Sequence, residues 1–165
     1  MENIKDMEAF VIRGEKAKAY FLQGYGCAQA VLLTFADVIG MDETTLARLG
    51  SSFGGGMGRL REVCGAVSGA FAVLGFVCGY DDPTDGEGKS RHYAMIREFA
   101  DRFKEKAGVP SIVCREILSG AGVSGESGGD AEARTPQYYQ KRPCGELVEI
   151  SAMVLAQMLA EQGTM

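Results

Sequence analysis

The chain has 165 residues, a length that suits a single domain with a true hydrophobic core. Its composition, 46% apolar and 24% charged, is that of a globular protein and excludes a disordered segment. A formal net charge of -5, with no run of lysines or arginines, argues against nucleic-acid binding.

The N-terminal segment MENIKDMEAFVIRGEKAKAYF interleaves acidic and basic residues and lacks the apolar stretch of a secretion signal. We therefore expect a cytoplasmic protein, in which thiols are kept reduced. The five cysteines are then better explained by redox chemistry, metal binding or burial than by a permanent disulfide framework.

Helical periodicity dominates the chain, and no segment alternates apolar and polar residues as a half-buried strand would. The sequence predicts an all-α, compact single domain over residues 1–165, a bundle of about six to seven helices around a buried, glycine-rich central helix. The predicted helices run from Glu2 to Leu22, Cys27 to Ile39, an Asp42 cap through Leu49, Cys64 to Cys78, Ser90 to Ala107, a Ser111 cap to Leu118, and Gly145 to Glu161.

The predicted central helix is a candidate membrane span because residues 63–80 carry no charge. As a helix these 18 residues would span about 27 Å, barely the thickness of a bilayer. Four glycines dilute their hydropathy, which favours a buried helix and no membrane span. Gly65 and Gly69 give it a small-residue face that another helix or a cofactor can approach closely.

Residues 119–135 contain five glycines and three serines, with almost nothing large enough to bury. This composition predicts a mobile internal linker. It does not mark a domain boundary, because the segment after it is too short to fold alone.

Four of the five cysteines fall at predicted helix starts: Cys27, Cys64, Cys114 and Cys144. The first N–H groups of a helix lack partners within the helix and carry the positive end of its dipole, so they favour a thiolate over a thiol. Cys78 falls at the far end of the central helix, where a packing role is expected. Burial as small hydrophobic residues is the alternative for all five.

A glycine-rich loop, FGGGMGRLRE, precedes the central helix. Its backbone N–H groups are candidates to face sulfur or a cofactor. The loop lacks the G-K-[ST] sequence that ends a phosphate-binding loop, and no strand precedes it. The candidate cofactor-binding residues are Gly54, Gly55, Gly56, Arg59 and Gly65.

Charged side chains near Cys64 are candidates for acid–base assistance. Arg59, Arg61 and Glu62 lie close to it in sequence, and the arginines would further favour a thiolate. The single histidine, His92, is expected on the solvated side of its helix, which argues against a cysteine–histidine pair.

The stretches GYGCAQAVL, FGGGMGR followed by VCGAVSG, CREIL and PCGELV resemble the C_GCAxxG_C_C family, which is described as redox-active. The resemblance covers about residues 14–159, with its motif on residues 64–69. It assigns the four family cysteines to Cys27, Cys64, Cys114 and Cys144. It implies a small helical bacterial or archaeal protein, often encoded near transporter genes, with selenocysteine replacing cysteine in some members.

The first functional hypothesis is thiol chemistry, as a thiol-dependent oxidoreductase that requires no cofactor. A helix-start thiolate, with Cys64 preferred because the glycine loop exposes it, attacks a disulfide, a peroxide or another small oxidised substrate. Cys144 or Cys27 then resolves the intermediate. The partner would be that small substrate or a redox protein.

Two alternatives remain open. In the first, all four cysteines are metal ligands that hold an iron–sulfur cluster or a tetrahedral metal ion, although spacings of 37, 50 and 30 residues lack a C-x-x-C unit. In the second, the protein is a non-catalytic helical accessory protein that binds a transporter component, and its cysteines are inert. The redox hypotheses require the fold to gather the four sulfurs in one electropositive pocket.

Overall fold

The computed structural model describes residues 3–165 and contains ten helical segments over that range. The predicted all-α fold is confirmed, and within the described residues the only β pairing is an isolated bridge between Val63 and Val113. The segments are α1 (Ile4–Leu22), α2 (Cys27–Thr34), α3 (Ala36–Ile39), α4 (Glu43–Gly50), α5 (Gly54–Met57), α6 (Gly65–Cys78), α7 (Gly86–Ala107), α8 (Cys114–Gly120), α9 (Pro136–Lys141) and α10 (Cys144–Glu161).

The first and last helices, α1 and α10, form the most extensive helix pair. The buried residues of α1 recur every three or four positions, as expected for an amphipathic helix: Phe10, Gly14, Ala17 and Phe21. A Cβ atom on Gly14 would lie only 2.7 Å from the Cγ atom of Met153. Glycine at this position therefore allows the two helices to approach closely.

Helix α6 is the predicted glycine-rich central helix, and it packs against α2, α7 and α10. A Cβ atom on Gly69 would lie 2.9 Å from the carbonyl oxygen of Ala28, so the predicted small-residue face does receive another helix. The buried Ser151 hydroxyl donates a 2.7 Å hydrogen bond to the Ala66 carbonyl and joins α10 to α6. The last turn of α6 reaches the surface, where Phe76 is 59% exposed.

Three predicted boundaries differ from the structure. The second predicted helix is interrupted at the buried Phe35, which separates α2 from α3. Helix α7 begins at Gly86, because the Asp85 carboxylate accepts a hydrogen bond from the Gly88 amide. The predicted Ser111 cap was wrong, since its hydroxyl accepts from the Val113 amide ahead of α8.

Helix α9 was not predicted, although it has a recognisable start. The Thr135 side chain accepts from the Tyr138 amide, and Pro136 occupies the first helical position. Between α8 and α9 the chain has no helix, in keeping with its composition. The mobility of residues 119–135 stays a prediction, and the predicted start at Glu2 lies outside the described residues.

The sequence predicts no membrane span, and the helices agree with this. Over residues 3–165, none of them combines the length and apolar character needed to cross a bilayer.

Candidate functional site

Four helix starts surround one cavity of about 460 Å³, here called the sulfur cavity. Cys27, Cys114 and Cys144 are the first residues of α2, α8 and α10, and Cys64 immediately precedes α6. All four line the cavity, so the predicted gathering of these cysteines is observed. Cys78 ends α6 and does not line it.

The isolated bridge fixes two of these helix starts relative to each other. The Cys64 amide donates a 2.8 Å hydrogen bond to the Ile112 carbonyl, and the Cys114 amide donates one of 2.6 Å to the Glu62 carbonyl. Both amides are therefore used by the fold and are not free to bind a ligand.

The glycine-rich loop forms a left-handed turn against Cys114. Residues 55–59 have φ angles between 62° and 70°, a conformation that costs non-glycine residues such as Met57 and Arg59 about 1–2 kcal/mol each. A Cβ atom on Gly56 would lie 2.6 Å from the Cβ atom of Cys114, so the backbone itself packs on this cysteine. The predicted cofactor-binding residues Gly54, Gly55, Gly56, Arg59 and Gly65 all line the sulfur cavity.

Cys64 does not have the properties that favoured it as the nucleophile. The amides of Ala66 and Val67 lower the pKa of its thiol, as expected at a helix start. Burial outweighs them and raises that pKa to about 12. The predicted exposure of Cys64 was wrong, because the residue is only 7% exposed.

Cys144 has the opposite electrostatic environment. A hydrogen bond from the Cys27 thiol lowers the pKa of Cys144, and the guanidinium groups of Arg142, Arg134 and Arg61 lower it further. Together they hold the pKa of the Cys144 thiol at about 7 against the effect of burial. The same hydrogen bond, together with burial, raises the pKa of Cys27 well above its ordinary value. Three guanidinium groups lower the pKa of Cys144, whereas Arg134 alone lowers that of Cys27, so the charges around the pair favour the thiolate on Cys144.

The other two cysteines favour the neutral thiol. Burial raises the pKa of Cys114, even though the Arg61 Nη1 atom lies 3.8 Å from the Cys114 Sγ atom and opposes that shift. Burial also raises the pKa of Cys78. Among the five cysteines, all of them in the described part of the chain, Cys144 alone has a lowered pKa.

The charged groups that line the sulfur cavity are mainly positive. Four arginines face one carboxylate there: Arg59, Arg61, Arg134, Arg142 and Glu132. The carboxylate forms ion pairs with Arg142 and, at 3.9 Å, with Arg59. The predicted electropositive pocket is therefore present in a chain of formal net charge -5.

Arg61 and Arg134 are held by backbone carbonyls. Arg61, only 2% exposed, donates through Nε to the Glu126 carbonyl at 3.2 Å. Arg134 donates to the carbonyls of Phe21 and Tyr25, at 3.2 and 3.0 Å. Within residues 3–165, neither guanidinium forms an ion pair with a carboxylate.

Helix α9 contributes a wall that the sequence analysis missed. The guanidinium carbons of Arg134 and Arg142 lie 4.9 and 4.7 Å from the centroid of the Tyr138 ring. Arg142 stands two residues before Cys144, which was a visible signal for a basic residue near that sulfur. Arg134 had no such signal, because its segment has the composition of a linker.

Three other charged or titratable candidates are placed differently from expectation. Arg61 contacts Cys114 and not Cys64. Glu62 is exposed and forms a 2.6 Å ion pair with Arg115, outside the cavity lining, so it has no position for acid–base assistance. His92 is half-buried, so it does not lie on a fully solvated helix face. Its Nδ1 atom is buried without a hydrogen-bond partner among the described residues. Its ring packs edge-on against Tyr80, away from the sulfurs.

The metal-binding alternative requires sulfurs at ligand geometry. Across residues 3–165, no group of three or more His, Cys, Asp or Glu side chains is arranged to hold a metal ion. The four cysteines share a cavity without forming the tetrahedral donor set that zinc or a cluster iron takes. As they stand, these donors do not fit a bound metal.

A comparison with protein families identifies the family of this chain. A family model described as "Putative redox-active protein (C_GCAxxG_C_C)" matches residues 25–158. The chain belongs to this family. Searches of curated proteins and of solved structures gave no match. The resemblance noted in the sequence is thus confirmed. The four cysteines that the resemblance assigned to the family pattern are those that line the sulfur cavity.

Proposed function

We propose that this protein is a thiol–disulfide oxidoreductase in which Cys144 is the nucleophile and Cys27 the resolving cysteine. The observation that carries the proposal is that Cys27 and Cys144 line one cavity with four arginines. The pKa values of the two thiols shift in opposite directions, which supports their acting as a pair. The thiolate is the reactive form of cysteine, and a pKa near 7 gives a substantial thiolate fraction at neutral pH without losing most of its nucleophilicity.

The proposed reaction transfers two electrons from the protein to a disulfide substrate. The Cys144 thiolate attacks one substrate sulfur, forming a mixed disulfide and releasing the other half as a thiolate. Cys27 then loses its proton to the leaving thiolate and attacks the Cys144 sulfur, which releases the second half of the substrate as a thiolate. That thiolate takes up a proton from solvent, the equivalent of the one that Cys144 lost on ionising. The products are a Cys27–Cys144 disulfide and two substrate thiols, so that one disulfide is reduced and one is formed. A dithiol reductant restores the protein by the reverse exchange.

Cys64 and Cys114 have no required role in this reaction. Their raised pKa values keep both as thiols at neutral pH, close to the reacting pair. Their position at the cavity wall is compatible with excluding water from the Cys27–Cys144 pair, which strengthens electrostatic interactions there. The proposed nucleophile is therefore Cys144 and not Cys64, which the sequence had favoured.

Oxidation followed by disulfide mapping tests the proposal. The reduced protein is treated with one equivalent of a neutral disulfide, the remaining thiols are alkylated, and the peptides are identified by mass spectrometry. We expect a single intramolecular bond between Cys27 and Cys144, with Cys64, Cys78 and Cys114 alkylated. The Cys78→Ser variant is the matched control, and it should give the same bond because Cys78 lies outside the cavity.

The same preparation separates thiol chemistry from the cluster alternative. Anaerobically purified protein should be colourless and contain less than stoichiometric iron or zinc. A bond between any other pair of cysteines, or a brown protein with stoichiometric iron that loses its colour in Cys144→Ser, would contradict the proposal.

A further inference from the structure

The arginines of the sulfur cavity also bear on the identity of the substrate. Four guanidinium groups line the cavity with one carboxylate, Glu132, which already forms ion pairs with Arg59 and Arg142. The lining therefore carries an excess of positive charge, although the whole chain is acidic. A cavity lined by charge of one sign concentrates ligands of the opposite sign.

Two of these arginines are unusual because no carboxylate of residues 3–165 forms an ion pair with them. Arg61 is 2% exposed, and its hydrogen bonds go to the Glu126 carbonyl and the Cys114 sulfur. Arg134 donates to two backbone carbonyls. Burying a cation without a carboxylate partner is costly, so Arg61, which acts on the Cys144 thiolate, also has charge available for an anion that enters the cavity.

The position of the charges links them to the nucleophile. Arg61 lies near the end of the glycine-rich loop, Arg134 precedes α9 and Arg142 precedes α10, so three separate parts of the chain contribute them. All three line the same cavity as Cys144, and Arg142 stands two residues before it in the chain. Their charges favour the thiolate form of Cys144. The cavity volume of about 460 Å³ lies in the range of small-molecule sites.

We infer that the cavity takes a small anionic disulfide: a compound with a sulfur–sulfur bond flanked by negative groups, which bind Arg61, Arg134 and Arg142 while Cys144 attacks the sulfur. This inference rests on the thiol–disulfide function proposed above. Two sources share the chemistry, an organic disulfide bearing carboxylates and an inorganic polythionate. Reduction of the organic disulfide releases two thiols, and reduction of tetrathionate by the same two cysteines releases two thiosulfates and two protons.

The main experiment compares disulfides that differ in charge. The reduced protein is mixed with 3,3′-dithiodipropionate (anionic), bis(2-hydroxyethyl) disulfide (neutral) or cystamine (cationic), and oxidation of the Cys27–Cys144 pair is followed over time. We expect the anionic disulfide to react at least about tenfold faster than the neutral one, and cystamine to react more slowly than either. The preference should shrink as salt is added. Tetrathionate forms a second arm that distinguishes the inorganic from the organic source.

A variant pair assigns the preference to the cavity. Arg61→Gln should lose most of the anionic preference, whereas Arg115→Gln should keep it, because Arg115 is half-exposed, pairs with Glu62 and does not line the cavity. If Arg61→Gln does not fold, the salt dependence of the wild-type protein still decides the question.

Binding of a thioether separates this inference from the proposed function. The compound 3,3′-thiodipropionate has the same two carboxylates but no sulfur–sulfur bond, and its binding to the wild-type protein is measured by calorimetry. Equal rates for the three disulfides, with no thioether binding, would overturn the anionic substrate and leave the thiol function standing. Thioether binding without reaction of any disulfide or of tetrathionate would overturn the thiol function and leave the anion site.

Discussion

The starts of α6 and α10 carry the same chemical group in the same kind of position, with opposite results. Cys64 and Cys144 both stand at the N-terminal end of a long helix, and both line the sulfur cavity. The pKa of Cys64 is raised to about 12, whereas that of Cys144 is lowered to about 7. A helix start is therefore not sufficient to make a cysteine reactive.

The difference comes from what surrounds each sulfur. Cys64 receives two helix amides, but its burial costs the thiolate more than those amides return. Cys144 receives a thiol hydrogen bond from Cys27 and the charges of three guanidinium groups. Charge-assisted partners, and not the helix dipole, decide which of the two becomes a thiolate.

The largest effect expected from this comparison is on thiol reactivity in mildly acidic buffer. Cys144→Ser should lower the rate of alkylation by iodoacetamide at pH 6 by more than about tenfold, because the remaining thiols stay protonated. Cys64→Ser should change the rate by less than about threefold, since its thiol does not ionise there. Alkylation quenched at set times and quantified by mass spectrometry measures both rates. A larger loss in Cys64→Ser would assign the reactive thiolate to Cys64 instead of Cys144.

The next effect concerns the hydrogen bond that distinguishes Cys144. Cys27→Ala removes the donor and should move the midpoint of the pH–rate profile for Cys144 alkylation upward by about one unit. Cys27→Ser keeps a hydroxyl donor and should recover most of that shift. If alanine and serine give the same midpoint, the thiol hydrogen bond is not the main cause of the lowered pKa.

The sequence was sufficient to place three of the four sulfurs at helix starts, because those starts are marked locally. Gly26, the glycine-rich loop and Pro143 interrupt the chain directly before Cys27, Cys64 and Cys144. The small-residue face of α6 was also readable, since glycine spacing along one helix is a local pattern. These features required no knowledge of which helices pack together.

The reactivity of each sulfur depends on contacts that are distant in sequence. Arg134 lies in a segment whose glycines and serines predicted only a linker, yet it reaches the carbonyl groups of Phe21 and Tyr25. Cys64 follows a glycine-rich loop, a pattern that predicts exposure, but that loop turns to line the cavity and Cys64 is only 7% exposed. Burial and long-range charge are tertiary properties, so the sequence analysis assigned the nucleophile to Cys64.

Stability as a function of pH gives a third test, with a slope of about 1 kcal/mol per pH unit and opposite signs for the two cysteines. The lowered pKa of Cys144 means that, between pH 7 and 9, the unfolded chain binds the proton that the folded chain has lost. Stability should therefore rise with pH in that window, and it should be lost again as pH falls through 7. The raised pKa of Cys64 acts the other way above pH 9, where the unfolded thiol ionises first and stability should fall.

Urea unfolding under reducing conditions, from pH 6.5 to 10, measures both limbs. Cys144→Ser should flatten the rise between pH 7 and 9 and leave the fall, whereas Cys64→Ala should weaken the fall and leave the rise. Cys27 and Cys114 also have raised pKa values and contribute to the fall, so some of it should remain in Cys64→Ala. A wild-type curve that is flat from pH 7 to 9 would be inconsistent with a lowered Cys144 pKa.

The smallest expected effect isolates a single guanidinium. Arg142→Gln removes one of three charges that act on Cys144, and should raise the midpoint of its pH–rate profile by less than about half a unit. The shift is small because Arg134 and Arg61 remain, and because Arg142 is also paired with Glu132, whose charge partly cancels its own. The exposed Arg115→Gln change should leave the midpoint where it is. A shift in Arg142→Gln as large as that of Cys27→Ala would mean that charge, and not the thiol hydrogen bond, is the principal difference between the starts of α6 and α10.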